Sequence, residues 1–225
     1  MLKDLEIGVS VLKGIHTQIN FFKDAVVVAW DIEDPNPTIA SHWANPATID
    51  SWKTSRNKKK KHADFINRYD GPSGNAIYYV AGSAYDQHTF DHVSQTVVGA
   101  EGPLNLILSD AAHDEGAVLK EVQRLLSNRM IANQQGDEFT MVWDDCGHGT
   151  YNSIEVMVNN TIFPMLRKEF PTRTVCYGSF KIRGWAGVNE GGHGTCVFST
   201  MDLSGPHLGA SKTWTAEEND VKCEQ

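Results

Sequence analysis

The stretch "LNLILSDAAHDEGAVLKEVQRLL", residues 104–126, decides how this chain is read. An apolar run over Leu104, Leu106, Ile107 and Leu108 stops at Ser109-Asp110, which reads as a buried strand closed by an acid. From Glu115 the period changes: Val118, Val122, Leu125 and Leu126 recur at helical spacing, with Lys120, Glu121 and Arg124 off that stripe. A strand, an acidic end with His113 behind it, and a helix make one repeat of an alternating α/β chain.

The same alternation extends in both directions. Leu5–Val9 reads as a first strand passing Glu6 and Gly8, with a helical segment from Ile15 to Phe22. "AVVVAWDIED" holds a β-branched strand, Ala25–Trp30, ending at Asp31. "AIYYVAG", 76–82, is a third strand followed by Ser83 and a helix in "DQHTFDHVSQTV". "FTMVW", 139–143, repeats the pattern of the opening stretch and ends at Asp144-Asp145, inside "WDDCGHG". A helix follows from Ile154 to Phe170, with Pro164 as a kink or break. "TVCYGSFKI" and "TCVFSTM" read as two strands joined by a long Gly-rich loop carrying His193. Residues 35–75, with four prolines and a basic run at Lys58–Lys61, read as irregular with one or two short helices. Residues 204–225 read as a polar, ragged tail. The expected architecture is a single α/β domain over 1–225, a Rossmann-like, mostly parallel sheet with helices on both faces and a C-terminal antiparallel strand pair.

Bulk properties narrow the function. At 225 residues the chain can bury a sizeable core, and 40% hydrophobic with 21% charged residues is globular composition. A net charge of -8 argues against nucleic-acid binding. No apolar run approaches the ~20 residues of a membrane span, and the N-terminus shows no signal peptide. The four cysteines, Cys146, Cys176, Cys196 and Cys223, form no CxxC pair, which excludes the common zinc-finger spacings and suggests reduced thiols in a cytoplasmic protein. Oligomeric state has no readable signal.

Polar groups at every strand end match the rule that ligands of open parallel sheets bind outside the carboxyl ends. "LEIGVS", "VVAWDIED", "YVAGSAYD", "LILSDAAHDEGAVLKEV" and "FTMVWDDCGHG" together resemble class I S-adenosylmethionine-dependent methyltransferases over residues 5 to about 170. Within them the chain is similar to the metal-dependent O-methyltransferases of the cephalosporin hydroxylase-like and macrolide-sugar group. The resemblance implies a cofactor held by Glu6, Gly8, Asp31, Ser83 and Asp110, with Asp31 on the ribose hydroxyls and Ser83 near the adenine. It implies Mg²⁺, or another divalent cation, on Asp110, Asp144 and Asp145. His113 becomes the general base for a hydroxyl on a small molecule or sugar, and His148 and Tyr151 become substrate contacts. Two features depart from the family: Leu12-Lys13 stands where adjacent glycines are usual, and the chain starts almost at the first strand, as a minimal or truncated member would.

Other readings of the same residues stay open. Asp31 can cap a helix or turn. Asp110, Asp114 and Glu115 can favour a helix start, and Asp144-Asp145 can form a turn. A metal-dependent hydrolase could use the same carboxylates with a metal-bound hydroxide. A non-catalytic binding module could retain the fold alone.

Overall fold

The computed structural model describes residues 1–9, 13–32, 66–110, 114–144, 146, 152–182, 193–203 and 216–224. Nine strands appear among them: β1 (Lys3–Ile7), β2 (Val26–Asp31), β3 (Ile66–Asp70), β4 (Ala76–Ala81), β5 (Leu106–Ser109), β6 (Thr140–Trp143), β7 (Val175–Ile182), β8 (His193–Ser199) and β9 (Ala216–Glu224). They form a mixed sheet in the order β3-β4-β2-β1-β5-β6-β8-β7-β9, mostly parallel in its centre. The chain gathers into two compact units, Met1–Ile107 with Gln123–Ile131, and Leu108–Val122 with Ala132–Gln225.

In the first unit β1, β2 and β4 are parallel neighbours, with Ile7 opposite Trp30 and Asp31 opposite Ala81. Their near-continuous apolar runs fit strands shielded from water: all of Val26–Trp30 and Ala76–Val80 is buried. Helix α1 (Lys13–Phe21) lays Ile15 and Ile19 into a cluster with Val27, Ala29, Ile77 and Tyr79. Trp30 packs on Phe90 of helix α2 (Gln87–Val93), ring centroids 4.7 Å apart, and donates its indole N–H to the Gly82 carbonyl at 2.8 Å. Asn75 pegs this unit from inside. Its side chain accepts from the Ala25 N–H at 2.9 Å and donates to the Ile19 and Phe22 carbonyls at 2.8 and 3.1 Å, closing the C-terminal end of α1.

The irregular reading of 35–75 needs correction at its end. Ile66–Asp70 is an antiparallel edge strand on β4, with Arg68 opposite Tyr78. Its sequence, INRYD, lacks an apolar alternation because only Tyr69 is buried. Arg68 instead pairs with Asp70 at 2.7 Å and lies over the Tyr78 ring, whose hydroxyl meets Glu101 at 2.5 Å. Residues 33–65, including the basic run, lie outside the described residues.

In the second unit β6, β8, β7 and β9 run antiparallel in that order. Phe139, Phe163, Phe170 and Phe198 form one aromatic cluster with Tyr177. The predicted helix 154–170 is helix α4 (Asn152–Met157), a widened π-type turn over Val158–Ile162, and helix α5 (Phe163–Glu169). Pro164 explains the widening: it offers no N–H and its ring crowds the preceding carbonyls, so the Phe163 N–H reaches back to Val158. The expected ragged tail is also corrected, since Ala216–Glu224 pairs along β7. Backbone hydrogen bonds formed with a neighbour carry that strand, and they leave no apolar signature in "AEENDVKCE".

The thiol reading is corrected too. Cys146 is disulfide-bonded to Cys196, and Cys176 to Cys223, across sequence separations of 50 and 47 residues that carry no recognisable framework. No helix among the described residues is long and apolar enough to cross a membrane.

Candidate functional site at the carboxyl ends of the strands

Parallel pairing fixes which residues share an edge. Because Ile7 faces Trp30 and Asp31 faces Ala81, the residues just beyond these pairs emerge together: Gly8 after β1, Asp31 at the end of β2, Gly82 and Ser83 after β4. Gly8 has φ +91, a conformation that side-chain-bearing residues rarely adopt, and its N–H bonds the Trp30 carbonyl at 2.8 Å. The Gly82 N–H in turn bonds the Asp31 carbonyl at 2.8 Å. Asp31 is half-buried at this edge. Ser83 opens a turn whose hydroxyl accepts from the Tyr85 N–H at 3.1 Å, ahead of Asp86, the N-cap of α2. The structure therefore brings Gly8, Asp31 and Ser83 to one edge of the first unit. Residues 10–12, with Leu12, lie outside the described residues.

Glu6 sits one turn of the pleat back from that edge. Its carboxylate accepts from Gln18 of α1 at 3.2 Å. Asp4 lies on the same face of β1 and is fully buried, with neither carboxyl oxygen in a well-formed hydrogen bond. Burial first, then the Glu6 charge, push the Asp4 carboxyl up to about 8; the Leu5 N–H offsets this only weakly. A carboxyl so placed is held protonated at neutral pH.

In the second unit the acids ending β5 and β6 are neighbours along the backbone. The Asp144 N–H bonds the Ser109 carbonyl at 3.0 Å, which sets Asp110 and Asp144 side by side in the ladder. Asp110 is exposed and Asp144 half-buried. Asp145 and His113 lie outside the described residues, as do His148 and Tyr151. Asp114 takes the capping role: its carboxylate accepts the Ala117 N–H at 2.9 Å in the first turn of helix α3 (Glu115–Ser127).

Beneath that mouth is a group the sequence reading misplaced. Glu121 is 2% exposed, not on the outer side of α3. Its position three residues after Val118 and four before Leu125 puts it on the buried stripe, a signal present in the spacing. Burial pushes the Glu121 carboxyl up to about 7, and the buried Ser109 hydroxyl, which donates to it, draws it down less. One Glu121 oxygen, and the indole Nε1 of Trp143, which precedes Asp144 in the chain, have no hydrogen-bond partner among the described residues.

No protein-family model matches the chain, and no curated protein matches it. The chemistry therefore rests on the two strand-end groups. A glycine in the left-handed region leaves room for a ligand to approach the backbone, and a carboxylate at the next strand end can accept two hydrogen bonds from a vicinal diol. Two adjacent carboxylates with oxygen-only donors suit a hard divalent cation better than a soft one.

Proposed function

We propose that the protein is an S-adenosylmethionine-dependent O-methyltransferase, assisted by a divalent metal, acting on a hydroxyl of a small molecule or sugar. The observation that carries this reading is the common edge formed by Gly8, Asp31 and Gly82–Ser83, set by the register of three parallel strands. It suits a nucleoside cofactor: the Gly8 turn gives close backbone approach, and Asp31 accepts from the ribose hydroxyls. Within the same unit the strand order reverses between β1 and the start of β5, where Asn105 N–H bonds the Lys3 carbonyl, and ligands of Rossmann-like sheets bind at such a point.

Asp110, Asp144 and Asp145 would hold Mg²⁺. The bound ion supplies Lewis acidity that lowers the pKa of a coordinated substrate hydroxyl. The chain's own contributions are placement and proton handling. Asp31 would orient the ribose of a bound cofactor, Asp110 and Asp144 would hold the cation and with it the acceptor hydroxyl, and His113 would take the hydroxyl proton. Helices on both faces of a Rossmann-like sheet complete the reading, with α1 and α2 contributing the packing described above.

Titration calorimetry with S-adenosylmethionine tests the cofactor half: wild type binds, and Asp31→Ala weakens binding at least ~10-fold, the loss of one or two hydrogen bonds to a charged group. Thermal stabilisation by Mg²⁺ or Mn²⁺ tests the metal half and disappears in Asp110→Asn and Asp144→Asn. Absence of any cofactor binding by wild type, with metal response intact, would turn the reading toward metal-dependent hydrolysis.

A further inference from the structure

Three consecutive strands of the second unit deliver metal-ligating side chains to one spot away from the acidic strand ends. Cys176 of β7 stands directly opposite Cys223 of β9. On its other side Cys176 stands opposite Ser199, the last residue of β8, and Asp202 follows three residues later. Past Ser199 the chain turns, with the Met201 N–H bonding the Ser199 hydroxyl at 3.0 Å. The two sulfurs and an Asp202 carboxylate oxygen all lie within 4.8 Å of one another. Cys176 is buried, whereas Asp202 and Cys223 are exposed, so the group has a fixed floor and an open side.

We infer that Cys176, Cys223 and Asp202 form a redox-gated site for a thiophilic divalent cation such as Zn²⁺, filled when the two cysteines are thiols and closed when they are joined. Two thiolates and a carboxylate are zinc donors, and sulfurs sharing one tetrahedral Zn²⁺ at ~2.3 Å each stand ~3.8 Å apart. Cross-strand cysteines with Cα atoms 4.0 Å apart can meet that span by side-chain rotation alone. Thiolate selects zinc over magnesium, which separates this site from the oxygen donors of Asp110 and Asp144. Three protein ligands leave a fourth position for water, so the metal exchanges more readily than in a four-cysteine site.

The chemistry balances. A dithiol or phosphine reductant gives two electrons to the Cys176–Cys223 bond, and two protons from solvent complete the thiols. Binding of Zn²⁺ then releases those two protons. Reoxidation by a disulfide or peroxide removes two electrons and expels the ion. Under reducing conditions the thiol state, and hence the metal state, prevails. Because β9 has β7 as its partner, the metal or the disulfide clamps it in turn.

The test uses the full chain reduced with a phosphine, then titrated with Co²⁺ and with Zn²⁺. The expected result is one equivalent of Co²⁺ showing sulfur-to-cobalt charge transfer and tetrahedral ligand-field bands, with Zn²⁺ displacing it and two thiols becoming unreactive to a thiol dye. Cys223→Ser abolishes the charge-transfer band. Asp202→Asn, at an exposed position, keeps the band and weakens affinity at least ~10-fold, a loss that even an outer-sphere partner can cause. A Cys146→Ser/Cys196→Ser double variant retains the signal. No cobalt–thiolate band from reduced wild type overturns the inference, as does a band that survives Cys223→Ser or vanishes in the double variant. None of these readouts involves S-adenosylmethionine or Mg²⁺, so they stand or fall apart from the proposed methyl transfer.

Discussion

Replacing Glu121 by glutamine keeps the shape of a buried side chain and removes its ability to ionise. In the folded chain burial raises this carboxyl from its ordinary 4.5 to about 7. Below the lower value both folded and unfolded chains carry the proton, and the neutral acid contributes its full stability. As pH climbs from 4.5 toward 7 the unfolded chain ionises first, so stability drains away at ~1.4 kcal/mol per pH unit. Above 7 the loss is complete and amounts to ~3 kcal/mol. Glu121→Gln has no such loss. Urea unfolding followed by tryptophan fluorescence should therefore find the variant and wild type close to equal near pH 4.5, and the variant more stable by ~3 kcal/mol near pH 8. Asp4, whose carboxyl also rises on burial, is present in both proteins and cancels. A stability difference that stays the same at both pH values, or a variant weaker near pH 8, would refute the claim that Glu121 ionises inside the fold.

Other expectations follow from single contacts. Asn75→Ala strips three hydrogen bonds from buried backbone and should cost ~3 kcal/mol or more, seen as a lower urea midpoint at unchanged slope. Gly8→Ala puts a Cβ at φ +91 and should lower stability by ~1–2 kcal/mol while weakening any nucleoside binding at that edge, measured by melting and calorimetry together. Trp30→Phe removes the indole N–H from the Gly82 carbonyl; a fall in melting temperature is expected, with the Phe90 contact retained.

Much of the strand pattern is legible because central strands are largely apolar: 25–30, 76–82 and 104–109 announce themselves as apolar runs closed by a polar or small residue. The edges are not legible in that way. Ile66–Asp70 and Ala216–Glu224 bond through their backbones, and a backbone ladder by itself places few demands on side-chain type. Among site residues, the glycine and acids at strand ends could be found because a polar residue closing an apolar run is conspicuous. Glu121 is hidden by its charge although its helical spacing is that of the buried stripe, and Asp4 sits in a mixed strand, KDLEI, where nothing in the pattern marks the acid as buried. In both exceptions burial raises the carboxyl pKa, which favours the neutral acid over the ion. The cysteine pairs had no signal at all, since contacts separated by 47 and 50 residues are products of strand order, not of local pattern.

The ninth strand has a consequence for self-association. Val175–Ile182 has β8 along one flank and Ala216–Glu224 along the other. Were the C-terminal strand to detach, an eight-residue row of backbone donors and acceptors bearing Val175, Cys176 and Tyr177 would become available for augmentation by another chain. The Cys223 link to Cys176 thus acts as a latch on a latent polymerisation surface: a cut ahead of residue 216 leaves the strand tethered, and reducing that link after the cut should yield oligomers by strand exchange.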